Sequence, residues 1–183
     1  MNGGMIAKSQ DVLVLLKWLC HSVPPGYADL AKELGMSVGG VHAATQRAAE
    51  AGLFDLENKR PKVTALKEYL VHGVKYAFPV RRGAPTRGLP TSYAAPPLRE
   101  QFQQDQAQEL PPVWPDPEGK VRGYTVEPLF PSVPHAARRD PQLYELLALV
   151  DALREGRARE RQWAAAELER RLDGYANREA LPV

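Results

Sequence analysis

Four histidines, His21, His42, His72 and His135, are the residues to weigh first for metal or acid–base chemistry, and they lie far apart along the chain. A zinc site asks for His or Cys in pairs a few positions apart, and no HExxH or paired-cysteine motif is present, so no metal is expected. There is no GxSxG elbow, no glycine-rich phosphate loop and no plausible carboxylate pair, and Gly39-Gly40 opens a helix rather than following a strand. The chain is therefore not expected to be an enzyme, and no cofactor is expected. The single cysteine, Cys20, ends the apolar run VLVLLKWLC and reads as a buried thiol.

What the chain offers instead is charge in one place. Its net +2 divides unevenly, with 12 Lys/Arg against 7 Asp/Glu over residues 1–90 and 12 against 15 over residues 91–183. Within residues 53–90 the count is 8 basic to 3 acidic, which points to an anionic partner there. A hydrophobic share of 44% with 25% charged residues is that of a globular protein. No run approaches the roughly 20 apolar residues of a membrane span, and MNGGMIAKSQ lacks the basic and apolar parts of a signal peptide. A cytoplasmic protein with no membrane partner is the expectation.

The elements that would position these charges follow from periodicity. Val12, Leu15, Leu16 and Leu19 share one helical face over residues 9–22, ended by Pro24, Pro25 and Gly26. Tyr27, Leu30, Ala31 and Leu34 repeat that spacing over 27–34, where Gly35 supplies a left-handed stop. Ser37 can cap a third helix running to Ala51, with Val41, Ala44, Ala48 and Ala51 inward and Gly52 closing it. Leu53–Leu56 and Lys62–Thr64 read as short strands around a polar turn. Thr64 is expected to cap a fourth helix stopped by Gly73, after which Val74, Tyr76 and Phe78 alternate like a strand.

Two helices crossing at a short turn need a small residue at the crossing, a permissive residue in the turn and an apolar plug, and Ala31, Gly35 and Val41 meet those demands. With LAKELGMS leading into a third helix and AEAGLF leaving it, residues 9–78 resemble the winged helix-turn-helix regulators, including the MarR-like bacterial repressors. The resemblance implies a sequence-specific, double-stranded DNA-binding transcriptional regulator, a repressor, with helix 37–51 in the major groove and wing 53–64 on the backbone. On that reading the outward residues are Ser37, Gly39, Gly40, His42, Gln46 and Arg47, of which Gln46 suits adenine and Arg47 suits guanine or phosphate. Such families often carry Ser, Thr or Arg where this helix has Val38, Gly39, Gly40 and Ala43, so base readout is expected to be sparse. Asn58, Lys59, Arg60 and Lys62 suit phosphate contacts. Arg81, Arg82 and Arg87, set among glycines and prolines, suit either an extended arm in a narrow minor groove or a clasp on the acidic surface of a partner.

Residues 79–141 hold 13 of the 17 prolines, which predicts an extended arm or linker, with a β-hairpin over Val113–Val126. Asp140 and Pro141 open a helix with the apolar stripe Leu143, Leu146, Leu147, Val150 and Leu153, and residues 157–173 form a second helix after Gly156. The expected fold is mainly α with a small β-wing. It comprises a winged helix-turn-helix over 1–79, a proline-rich arm over 80–139 and a C-terminal helical pair over 140–183. That pair should pack on the first domain or on another chain, and its stripe suggests a homodimer. The alternative is an antitoxin-like or adaptor protein that binds a partner protein through its arm and C-terminal helices.

Overall fold

Helix α1 (Ser9–Leu19) has no solvent side: every residue from Asp11 to Leu19 is buried. A helix that is apolar nearly all round belongs inside. The run VLVLL meets this condition because α1 is packed by other helices on several sides at once. The computed structural model describes residues 7–102 and 109–179 and shows a mainly helical chain with one two-stranded and one three-stranded sheet.

Helix α2 (Tyr27–Leu34) and helix α3 (Val38–Glu50) pack on α1 and on each other. Gly35 ends α2 in the left-handed region at φ 64°, and Ser37 caps α3 by accepting a hydrogen bond from the Gly40 N–H at 3.0 Å. Both agree with the sequence reading. A Cβ at Gly35 would stand 3.3 Å from Ser132 Cβ, and an L-residue resists this φ by about 1–2 kcal/mol. Gly35→Ala is therefore expected to lose stability by about that amount, measured by urea denaturation of the purified chain.

Strands β1 (Phe54–Asp55) and β2 (Arg60–Pro61) pair antiparallel, Phe54 opposite Pro61 and Asp55 opposite Arg60. The second strand lies earlier than the expected 62–64 because Lys62 already caps helix α4 (Val63–Glu68). The strand expected over Val74–Phe78 is absent. A π-helical turn (Tyr69–Gly73) carries the helix through Gly73 into α5 (Val74–Ala77), and this keeps Leu66, Leu70 and Val74 on one buried face. The extra residue per turn absorbs the glycine without ending the helix.

The proline-rich segment folds. Strands β3 (Pro85–Pro90), β4 (Pro112–Pro115) and β5 (Val121–Thr125) close into a small barrel, with a 3-10 turn (Ser92–Ala94) after β3. The expected hairpin over Val113–Val126 is not formed, since β4 and β5 run parallel and each pairs antiparallel with β3. Nor is 80–139 an extended arm, because β3 is paired on both sides. Its prolines sit at strand ends, where a missing N–H costs little. Gly88 is the crossing point, pairing with Pro115 on one side and Val121 on the other; a Cβ there would fall onto the Trp114 carbonyl.

Helix α6 (Val133–Arg139), not foreseen, precedes α7 (Pro141–Glu155) and α8 (Ala158–Glu179). Asp140 caps α7 as expected, accepting from the Leu143 N–H at 3.1 Å. The α7 stripe is spent inside the chain: Leu143, Leu146, Leu147, Val150 and Leu153 are all 3% exposed or less, against α1, α5, α6 and α8. The apolar face that suggested a homodimer is thus already covered, and one continuous core runs from α1 to α8. Lys17 ties α1 to both neighbours, 2.7 Å from Glu33 and 2.6 Å from Asp140.

The buried carboxylate of Asp151 on α7 holds the barrel in place. It accepts from Trp114 Nε1 at 2.6 Å and Thr91 Oγ1 at 2.7 Å, and pairs with Arg154 at 2.7 Å. Arg154 Nε in turn donates to the Phe78 carbonyl at 2.9 Å. Among the described residues no helix is long and apolar enough to cross a membrane, and no group of three or more His, Cys, Asp or Glu could hold a metal ion.

Candidate nucleic-acid interface

Helix α3 is anchored through Val41, Ala44, Thr45 and Ala48, all 2% exposed or less. Thr45 Oγ1 donates to the Val41 carbonyl at 2.9 Å and accepts from Trp18 Nε1 at 3.4 Å, which fixes the helix on α1. The opposite face carries Val38, Gly39, His42, Ala43 and Gln46. Val38 is 50% exposed, and no heavy atom lies within 4 Å of where a Gly39 Cβ would stand. His42 is exposed, with its ring edge-on to Tyr27 at 5.1 Å between centroids. Gln46 is half-buried, one turn beyond His42 and Ala43. Ser37 and Gly40 are engaged with each other in the cap.

Arg47 is not on that face. Its side chain is 7% exposed and grips Asp11, 5% exposed, with Nε at 2.9 Å from Oδ2 and Nη2 at 2.5 Å from Oδ1. The hydrogen bonds that Arg47 donates to Asp11 push the guanidinium pKa up, so this arginine is a fixed cation. Asp11 also accepts the Lys8 N–H at 2.9 Å, which makes it the cap of α1 as well as the anchor of α3. Position 47 lies at the seam between the inward and outward faces of α3, and a carboxylate on the central helix draws it inward. The expectation that Arg47 reads guanine or phosphate is corrected accordingly.

The β1–β2 turn is built by Asp55, whose Oδ1 accepts the Glu57 and Asn58 N–H groups at 3.0 and 3.1 Å and whose Oδ2 accepts Asn58 Nδ2 at 2.7 Å. The Asn58 side-chain bond, with the backbone bonds, holds the Asp55 carboxyl below its ordinary range. Asn58 therefore shapes the turn. Lys59 follows with φ 52°, and Lys59 and Lys62 are exposed, while Arg60 is half-buried opposite Asp55.

The arginines of 81–87 sit elsewhere in the fold. Arg82 lies over the Tyr124 ring at 4.5 Å and 3.5 Å from Glu155, so it is engaged within its own chain rather than by a groove or a partner surface. Arg81 and Arg87 are exposed, and Arg87 stands opposite Arg122 on the barrel. The barrel packs through the 3-10 turn on α7, whereas α3 packs on α1, α2 and β1. A free minor-groove arm is not what these residues form.

Cys20 is half-buried, its Sγ donating to the Leu16 carbonyl at 3.4 Å, and burial pushes the thiol far above its ordinary range. The thiolate is the reactive form. Native protein at pH 7.5 is expected to resist iodoacetamide, with one alkylation by mass spectrometry only after unfolding.

The sequence reading missed Asp11 as the partner that holds Arg47. The signal for Asp11 was a lone acid inside SQDVLVLLKWL, which burial alone could not tolerate without a cation. None of the family models, curated proteins and solved structures compared with the chain matches it.

Proposed function

We propose that the chain is a double-stranded DNA-binding transcriptional regulator of winged helix-turn-helix type, with α3 in the major groove and the β1–β2 hairpin as the wing. The observation that carries this reading is the form of α3. It is a 13-residue helix fixed on one side by α1 and α2 and presenting on the other a slim face with open space at Gly39, and the hairpin that follows it carries exposed Lys59 and Lys62. A helix that enters a groove about 12 Å wide profits from small residues at its N-terminal end. Lysines on the hairpin supply phosphate contacts without directional demands. Repression, by occluding a promoter, is part of the same proposal. A dimer is not, because the α7 stripe is covered.

The test is selection of duplexes from a random library by the purified full chain, followed by anisotropy titration at several salt concentrations. Lys59→Ala and Lys62→Ala are each expected to weaken binding uniformly across sequences and to reduce the slope of log K against log salt by about 1. Recovery of no enriched sequence and no salt-dependent binding sinks the proposal.

A further inference from the structure

Resting on the DNA-binding reading, we infer that α3 selects A·T-rich major-groove sequence and lacks the bidentate arginine or lysine contact that reads guanine. The strongest guanine contact a protein makes is a bidentate Arg or Lys to O6 and N7. The one arginine of α3, Arg47, is held by Asp11 in the core, and residues 38–50 contain no lysine. The pairing with Asp11 thus removes from the interface the one side chain of α3 able to make that bidentate contact.

Apart from His42, whose ring lies edge-on to Tyr27, the side chains that remain outward have the chemistry of A·T pairs. Val38, half exposed at the first position of α3, and Ala43 offer apolar surface of the kind that packs on a thymine C5-methyl. Gln46 is the amide that pairs in bidentate fashion with adenine N6 and N7. Ala43 and Gln46 fall with Gly39 on consecutive turns of one face, and Val38 stands at its leading edge. Glu50, the remaining exposed charge of the helix, lies at the C-terminal end, away from the residues that enter the groove first. The wing agrees: A-tracts have a narrow minor groove with enhanced negative potential, and Lys59 is exposed on the wing turn.

The deciding experiment measures binding of the full chain, at one fixed salt concentration, to 20-bp duplexes of four kinds: A·T-rich, G·C-rich, the A·T-rich duplex with uracil for thymine, and the G·C-rich duplex with inosine for guanine. The A·T duplex is expected to bind about tenfold or more tighter than the G·C duplex. Uracil, which removes only the methyl groups, should lose several-fold, and Val38→Ser, a surface change, should shrink that loss to the part Ala43 carries. Gln46→Ala should narrow the A·T preference. Inosine keeps the major-groove edge of guanine and removes its minor-groove amine, so recovery of tight binding with inosine would place the preference in the wing and overturn the α3 assignment. Equal or tighter binding to G·C, or indifference to uracil, overturns the inference while leaving DNA binding intact. Absence of binding to all four duplexes overturns the parent reading instead.

Discussion

Arg47→Ala is expected to destabilise this protein by about 3–5 kcal/mol, the cost of leaving a buried carboxylate without its cation. Both side chains are nearly inaccessible, and the bidentate geometry means that two charge-assisted hydrogen bonds vanish together. For a chain of 183 residues this corresponds to a fall in melting temperature of roughly 6–20 °C, read by circular dichroism. Asp11→Ala should cost a similar amount, with the further loss of the α1 cap. The double variant Asp11→Leu with Arg47→Met should recover most of the stability, because an apolar pair of similar volume avoids desolvating two charges. A melting temperature unchanged by Arg47→Ala would mean that this arginine points to solvent, and the outward reading of Arg47 would return.

The second large effect is expected at Asp151. Replacing it with alanine leaves the Trp114 indole N–H and the Thr91 hydroxyl without an acceptor in a buried place, and leaves Arg154 without its carboxylate. Each unsatisfied neutral group costs about 1–3 kcal/mol, so a total near 3–5 kcal/mol follows even with partial relaxation. Asp151→Asn should lose less, since an amide oxygen can still accept from Trp114 and Thr91 while its N–H₂ faces Arg154. Thermal unfolding gives the magnitude, and the amide hydrogen exchange of β3–β5 gives the place. Faster exchange confined to the barrel is the expected pattern. A loss below 1 kcal/mol in Asp151→Ala would show that the barrel does not depend on this carboxylate.

Local features were legible in the sequence and distant ones were not. The bounds of α2, the left-handed Gly35, the Ser37 cap and the Asp140–Pro141 start of α7 are decided within four or five residues, and the structure agrees with each. The barrel was not legible, because its strands pair across long sequence gaps and its prolines read as breakers until they are seen at strand ends. Gly73 misled for a different, local reason: a π turn passes a glycine that a regular helix would end on. At the candidate interface the helix itself was readable, yet Arg47 was placed on the wrong face because its partner lies 36 positions away. A helical wheel gives the seam position and cannot say which neighbour claims the side chain.

The central helix α1 also sets an order of events during synthesis. One of the surfaces that bury it belongs to α7, which ends at residue 155. At about 5–20 residues per second, the ribosome needs roughly 4–15 s to travel from the end of α5 to the end of α7. For that interval the nascent N-terminal half has an apolar flank with nothing against it. The segment that reads as a self-sufficient DNA-binding unit is therefore completed only by residues synthesised well after it.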